Sequence, residues 1–399
     1  MIEAREMDIT PIAGHWPLPE GWEWISLRDI IRLEYGRALP ARVRRSEGLY
    51  PVFGSGGQVG THASAITNSP AIVVGRKGSI GAVFFSEEPC WPIDTTYYID
   101  QFASFVNPKY IYFFLKILPL NINRASAIPG LNRDDVYAFA VPIPFPNSHN
   151  RSLAIQHRMV ERNEALLAEL REAQDTLDSM RYNINQVISS ASLEVFKEVT
   201  KNAKSVPLGR MTTKIGSGST PRGAHYEETG IPFIRSLNGL WNKFSDKDLT
   251  FINPIVHNRM KGTEVQVGDV LLNITGASIG RSCCPPENYL PANVNQHVFI
   301  IRPKRELKSR FLMYWLTSPY TQQIIGNLQS GATRQALTKA QIAQFQIPLP
   351  DPILQEQIVN YLDSIQRVVD ELQDMLREDE EILKQVEHGI LNQAFKGKL

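Results

Sequence analysis

The sequence RSLAIQHRMVERNEALLAELREAQDTLDSMRYNINQVISSASLEVF, residues 151–196, contains neither proline nor glycine. Both residues interrupt helices, so their absence over 46 residues favours one long helix. From Leu166 onward, apolar side chains recur at alternating steps of four and three residues, a spacing typical of helices that pack along a seam. The C-terminal segment, from about Ile353 to Phe395, has the same spacing. The sequence therefore predicts two long amphipathic helices.

The apolar seams of the two helices match in phase, because adding 199 to a seam position in the first gives a seam position in the second. The predicted seam residues are Leu166, Leu170, Leu177, Ile184 and Val187 in the first helix, and Ile365, Val369, Leu372, Leu376, Leu383, Val386 and Ile390 in the second. A helix of about 42 residues is roughly 60 Å long and is not stable alone in water. We therefore expect an antiparallel coiled coil, with an ordinary helical-hairpin core as the alternative.

The same offset extends into the segments that precede each helix. GRKGSIG at 75–81 corresponds to ITGASIG at 274–280, and VPIP at 141–144 corresponds to IPLP at 347–350. Short β-rich runs with Gly, Pro and Asn turns lie between these matches. The chain is therefore predicted to be a tandem duplication of class α+β with pseudo-twofold character. The predicted divisions are a first α/β domain at 1–150, a long helix at 151–204, a second α/β domain at 205–350 and a long helix at 351–399.

Composition excludes several classes of protein. No apolar run approaches the length of a membrane span, and the N-terminal residues lack a secretory pattern. Three cysteines are too few for a disulfide framework, and neither they nor the eight histidines have metal-ligand spacing. We therefore expect a cytoplasmic protein without a metal. Walker A, dinucleotide-binding and adenine-methyltransferase motifs are not matched, which argues against a self-contained enzyme.

Charge is distributed unevenly along the chain. Residues 205–350 contain 16 Lys and Arg against eight Asp and Glu, whereas residues 351–399 contain five against eleven. This distribution suits a polyanion bound to the basic domain and another partner bound to the acidic segment. The alternative is that the charged residues only cluster locally on a solvated surface. The candidate DNA-binding residues are Arg37, Arg42, Arg44, Arg45, Gln58, Arg76, Lys77, Arg222, Arg235, Asn238, Lys243, Arg259, Arg281, Asn295, Gln296 and Arg334. Gln58, Arg76, Asn238, Arg281, Asn295 and Gln296 are the candidates for reading base edges.

Five segments resemble the specificity subunit of a type I restriction-modification system. They are LPEGWEWISLRDI (18–30), GRKGSIGAVFF with WPIDTTYYI (75–99), VPLGRMTTKIGSGSTPR (206–222), GDVLLNITGASIGR (268–281) and IPLPDPILQEQIVNYLDSI (347–365). The first half departs from the pattern, with IQHRMV at 155–160 where the second has LQEQIV at 354–359.

The resemblance implies two target-recognition domains, each reading one half of a bipartite site in double-stranded DNA. It implies that the helix pair sets the spacer and that two adenine-N6 methyltransferase subunits dock against it. It also implies that partner subunits hold the cofactors: the methyltransferase subunits hold S-adenosylmethionine, and an optional motor-nuclease subunit holds ATP. By the same resemblance, this chain is not catalytic. The alternatives are a stand-alone nucleic-acid enzyme and a coiled-coil scaffold that does not bind DNA.

Overall fold

A computed structural model of the chain describes residues 16–45, 47–121, 130–221, 226–329 and 336–396. The chain divides into two compact units. Unit 1 consists of Met1–Leu177 and Glu378–Leu399, and unit 2 consists of Asp178–Arg377. Each unit therefore contains one sheet domain and part of each long helix.

The first sheet domain, called domain 1, lies in unit 1. Its elements are β1 (Trp22–Ser26), α1 (Leu27–Ile30), β2 (Glu34–Tyr35), β3 (Tyr50–Gly54), β4 (Gly57–His62), β5 (Ala71–Gly75), β6 (Val83–Ser86), β7 (Trp91–Pro92), β8 (Thr96–Ile99), α2 (Pro108–Ile117), α3 (Arg133–Tyr137) and β9 (Ala140–Pro144). They form sheets in the orders β2-β8-β5-β6, β4-β3-β7 and β1-β9. The long helix α4 (His149–Asn202) follows.

The second sheet domain, called domain 2, lies in unit 2. Its elements are β10 (Ser205–Pro207), β11 (Thr212–Ser217), β12 (Ile231–Ile234), β13 (Thr250–Ile252), α5 (Pro254–Arg259), β14 (Glu264–Val265), β15 (Val270–Asn273), β16 (Ser282–Cys283), β17 (Ala292–Val294), β18 (Val298–Pro303), α6 (Ser309–Thr317), α7 (Pro319–Gln329), α8 (Lys339–Ala343) and β19 (Gln346–Pro348). The sheets have the orders β11-β18-β15-β16, β13-β12-β17-β14 and β10-β19. The long helix α9 (Pro352–Phe395) follows.

The two domains have equivalent strand topologies. The antiparallel order β2-β8-β5-β6 in domain 1 corresponds to β11-β18-β15-β16 in domain 2. A parallel pair recurs as β3 with β7 and as β12 with β17, and the strand pair that precedes each long helix recurs as β1 with β9 and as β10 with β19. This repetition confirms the predicted α+β class and the internal duplication.

Each long helix packs against a domain core in both units. In unit 1, Val160 and Leu167 of α4 and Leu391 and Phe395 of α9 belong to the core that surrounds α2. In unit 2, Phe196 and Val199 of α4 share a core with Ile358 and Leu362 of α9 around α6. Buried apolar area of this kind stabilises a helix that is marginal by itself.

The predicted helix seam is wrong at three positions. Val187, Leu372 and Val386 are 46%, 38% and 41% exposed, whereas the other predicted seam residues are buried or half-buried. Leu167, Ile188 and Leu391, each one residue after a predicted seam position, pack on the domain cores instead. A 3.5-residue spacing identifies the apolar stripe, but the domain that covers the helix decides which edge of the stripe is buried.

Candidate nucleic-acid interface

The repeated glycine turn is a close contact inside each domain. Gly81 and Gly280 have left-handed φ values of 80° and 86°, which favour glycine. A Cβ at Gly81 would lie 2.9 Å from the Cβ of Leu120, and one at Gly280 would overlap the side-chain amide of Gln322. Gln322 Nε2 also donates a hydrogen bond to the Gly280 carbonyl at 3.0 Å. The turn therefore packs against the segment that follows the core helix of its own domain.

Backbone hydrogen bonds bring several basic candidates together at one end of the β2-β8-β5 sheet. The amides of Arg76 and Lys77 donate to the Thr95 carbonyl at 2.9 and 3.1 Å, and the Arg37 amide donates to the Pro92 carbonyl at 3.0 Å. We call residues 35–37, 76–77 and 92–97 the domain 1 corner. Arg37 and Lys77 are exposed there, and Arg76 is half-buried.

Arg76 has little freedom to read a base in the domain 1 corner. One of its terminal nitrogens, Nη2, donates to the Asp94 carbonyl at 2.9 Å. Its Nε is buried without a hydrogen-bond partner. Reading of guanine needs two guanidinium N–H groups that point together at the base edge. Arg76 therefore offers single donors rather than a free fork.

The equivalent place in domain 2 has different side chains. The Gly218 amide donates to the Val298 carbonyl, as the Gly36 amide donates to the Thr96 carbonyl in domain 1. The Ile274 amide donates to the His297 carbonyl, as the Arg76 amide donates to the Thr95 carbonyl. We call residues 217–220, 274–275 and 294–298 the domain 2 corner.

Three polar side chains form a chain of contacts in the domain 2 corner. Thr275 Oγ1 lies 2.7 Å from His297 Nδ1, and Gln296 Nε2 lies 3.2 Å from His297 Nε2. The Thr220 hydroxyl donates to Gln296 Oε1. His297 is not predictable as a site residue from the sequence, because a single histidine carries no motif. The two corners thus share a backbone frame, with arginine and lysine in one and threonine, glutamine and histidine in the other.

Two of the predicted base readers are wrong because their amide groups are used inside the domain. Asn238 is fully buried; its Oδ1 accepts from the Arg235 amide at 2.9 Å, and its Nδ2 donates to the carbonyls of Ser245 and Lys247. Asn295 is 8% exposed and accepts from the His297 amide at 3.1 Å. Because both side chains are also buried, they cannot reach a base edge in a groove, whereas Gln296 is exposed.

Some of the charged candidates also have intramolecular partners. Arg44 is half-buried and donates twice to the Leu39 carbonyl at 2.7 and 3.0 Å. Arg235 donates to the Asp248 carbonyl at 2.5 Å. Lys243 is exposed but lies 3.2 Å from Asp370 of α9.

The remaining candidates differ in exposure. Arg281 is half-buried and lines a cleft of about 730 Å³ in unit 2, between domain 2 and the long helices. The exposed candidates are Arg37, Arg42, Arg45, Gln58, Lys77, Arg259 and Gln296. Arg222 and Arg334 lie outside the described residues.

Two further features bear on the kind of site. Within the described ranges, His, Cys, Asp and Glu side chains nowhere gather in threes in a way that could hold a metal ion. None of the described helices is both long and apolar enough to cross a membrane.

The chain contains two copies of one sheet domain, each followed by a long helix, and the two copies have different polar corners. This arrangement defines a class of tandem-repeat protein that presents two distinct surfaces. Residues 19–175 and 201–382 match the type I restriction modification DNA specificity domain, and the chain belongs to this family. The resemblance stated from the sequence motifs is therefore confirmed.

The individual relatives have low sequence identity to this chain, but the matches cover most of its length. The chain is 23% identical over 293 residues to the EcoR124I/EcoR124II specificity subunit of Escherichia coli, covering 70% of this chain and 69% of that protein. It is 21% identical over 311 residues to the putative MjaX specificity subunit of Methanocaldococcus jannaschii, covering 74% and 68%. A chain from a solved structure concerned with assembly of a type I R-M system has a TM-score of 0.68 at 22% identity, covering 96% of this chain and 100% of that one. The structural match supports the fold.

Proposed function

We propose that this chain gives a type I restriction-modification complex its DNA sequence specificity. Domain 1 reads one half of a bipartite site in double-stranded DNA, and domain 2 reads the other half. Adenine-N6 methyltransferase subunits hold S-adenosylmethionine and carry out the methylation, and an optional motor-nuclease subunit uses ATP. This chain contributes recognition rather than catalysis.

One observation carries the proposal of two different half-sites. By the matching backbone hydrogen bonds, Arg37, Arg76 and Lys77 of domain 1 correspond to Ser219, Ile274 and Thr275 of domain 2. The polar groups beside these positions in domain 2 come from Gln296 and His297. Direct readout depends on the pattern of donors and acceptors that a protein presents in the groove. Identical frames that carry different donors and acceptors suit the reading of two unlike sequences.

The half-site assignment is tested by mapping methylated adenines in cells that contain this chain and its methyltransferase subunits. Gln296→Ala with His297→Ala should relax the sequence requirement in one half of the motif only. A matched variant, Gln58→Ala in domain 1, should leave that half unchanged. Relaxation of both halves by the domain 2 variant would contradict separate readers. Salt-dependent DNA binding without any methylated motif would favour a degenerate specificity subunit. Absence of DNA binding would favour the alternative of a coiled-coil scaffold.

The long helices are proposed to pair as an antiparallel rod that sets the spacer between half-sites. In unit 1 the start of α4 shares a core with the end of α9, and in unit 2 the end of α4 shares a core with the start of α9. Gln373 Nε2 of α9 also donates to Asn185 Oδ1 of α4 at 2.7 Å. Both observations support opposite helix directions.

Removing one heptad from each helix, residues 178–184 and 377–383, tests the role as a spacer. Seven helical residues span about 10 Å, which equals about three base pairs of DNA. The methylated motif should keep both half-sites and change its spacer by about three base pairs. A changed half-site, or an unchanged spacer, would contradict the proposal.

An exposed apolar stripe on α9 is proposed to dock a methyltransferase subunit. Leu354, Tyr361, Val368 and Met375 recur at every seventh residue within unit 2 and are between 39% and 59% exposed. The adjacent face of α9, rotated by about 100° from the stripe, is buried through Leu362, Val369 and Leu376. Because residues 351–399 carry a net charge of −6, from five basic and eleven acidic residues, the stripe suits a helix with an apolar face and basic flanks.

Charged substitutions in this stripe test the docking surface. Val368→Glu with Met375→Glu should abolish co-purification with the methyltransferase subunit and leave the melting temperature of the chain unchanged, because both side chains are exposed. Ile255→Glu, at an apolar residue of α5 that is 63% exposed, is the matched control. Co-purification of the double variant at the wild-type level would place the docking surface elsewhere.

A further inference from the structure

Two arginines of domain 1 converge on one exposed aromatic ring. The guanidinium carbon of Arg133 lies 4.7 Å from the ring centroid of Tyr35, and that of Arg76 lies 5.4 Å from the same centroid. Tyr35 is 49% exposed and contacts the buried ring of Tyr97 at 5.0 Å. An aromatic face attracts a guanidinium group, so Tyr35 provides a platform for both cations.

Backbone contacts hold this cluster together from four separate parts of domain 1. The Leu131 amide donates to the Arg76 carbonyl at 3.0 Å, and the Tyr97 hydroxyl donates to the Leu131 carbonyl at 3.0 Å. Burial raises the pKa of Tyr97, and the charges of Arg76 and Arg133 oppose this rise, which reflects their proximity to its hydroxyl. The cluster is thus positioned by the domain rather than by flexible surface chains.

The positive charges of this cluster are not neutralised within the described part of the chain. There, neither Arg76 nor Arg133 forms an ion pair with a carboxylate, and their hydrogen bonds go to the Asp94 and Leu33 carbonyls. A nearby arginine shows the contrasting arrangement. Arg28 lies 5.0 Å from the ring centroid of Tyr137 and is paired with Asp134 at 3.0 Å.

We propose that Arg76 and Arg133, held on Tyr35, form a clamp for a phosphate of the DNA backbone beside the half-site that domain 1 reads. The proposal rests on the proposed function of domain 1. It assigns Arg76 to backbone contact instead of base reading, because Arg76 presents single donors and has no free fork. A phosphate supplies the negative charge that the cluster lacks and accepts hydrogen bonds from both guanidinium groups.

The clamp is specific to domain 1 among the described residues. By the matching backbone hydrogen bonds, Tyr35, Arg76 and Arg133 correspond to Ser217, Ile274 and Lys339 of domain 2. These positions of domain 2 carry one cation, no aromatic ring and no guanidinium group. The clamp therefore predicts that domain 1 contributes more salt-dependent affinity at this place in the fold than domain 2 does. That difference concerns binding strength and not the choice of bases.

The experiment measures DNA affinity of the full chain, assembled with its methyltransferase subunits, between about 50 and 200 mM salt. One duplex carries the motif found by methylation mapping, and the other has the motif scrambled. Arg76→Ala and Arg133→Ala should each weaken binding to both duplexes by the same factor. Each should also reduce the slope of log affinity against log salt, and the double variant should reduce it by about 0.9, the value for one lost phosphate contact.

Control variants separate the clamp from general damage to the domain. Arg133→Lys should keep the slope because it keeps the charge, and Arg28→Ala should leave the slope unchanged because Arg28 is already paired with Asp134. Unchanged slopes in both Arg76→Ala and Arg133→Ala would overturn the clamp, as would a loss confined to the duplex that carries the motif. If the wild-type complex fails to distinguish the two duplexes, the proposed function fails, whatever the slopes of the variants.

Discussion

The end of the last helix should be a major source of stability for unit 1. Phe395 is fully buried and packs edge-on against Tyr110 and Phe114, with ring centroids 4.9 and 5.1 Å away. The indole N–H of Trp16 donates to its carbonyl at 3.3 Å. Phe395→Ala removes the ring from this core and keeps the backbone contact. Truncation of a buried phenylalanine costs about 3–5 kcal/mol, and the loss of two aromatic contacts favours the upper part of this range.

A unit of this size should lose roughly 10 °C of melting temperature, since 1 kcal/mol corresponds to about 2–4 °C. Calorimetry of the full chain measures this shift, and hydrogen exchange of α2 shows whether unit 1 loosens. Gln393→Ala, an exposed change two residues earlier, is the control and should melt like the wild type. If Phe395→Ala melts within about 2 °C of that control, the end of α9 is not part of the core as described.

Three further perturbations follow from single contacts. Gly36→Ala and Gly218→Ala should each prevent soluble expression, because a Cβ would overlap a backbone carbonyl of the neighbouring segment, whereas Gly262→Ala should express normally because nothing lies within 4 Å of its Cβ. Asn238→Ala should cost about 1–3 kcal/mol in chemical denaturation, because buried amide and carbonyl groups lose their partners; wild-type stability would contradict this. Burial raises the pKa of the Cys283 thiol, so the native protein should resist iodoacetamide near pH 8. Its free energy of unfolding should fall as pH rises above about 8.5, where only the unfolded thiol ionises. Alkylation of Cys283 followed by mass spectrometry, with and without denaturant, checks the first point, and denaturation at several pH values checks the second.

Local pattern was sufficient to predict some elements and not others. The absence of helix breakers before Phe196 predicts α4, and the match at an offset of 199 predicts that α9 has a similar seam. The exposure of Val187 and Val386 was not predictable, because it depends on which side of each helix the domain covers. Asn238 has the right residue type for a base reader, yet the loop around it uses every group of its amide.

The sequence by itself determined the duplication, the α+β class, the two long helices and the family, since these depend on residue order and spacing, which are visible along the chain. Only the tertiary structure brought Tyr35, Arg76 and Arg133 together and placed His297 in the equivalent frame of domain 2. These contacts join segments that are about 20 to 100 residues apart, and nothing in the local sequence encodes their distance in space. For that reason the kind of protein follows from the sequence, and the surfaces proposed to bind DNA follow from the fold.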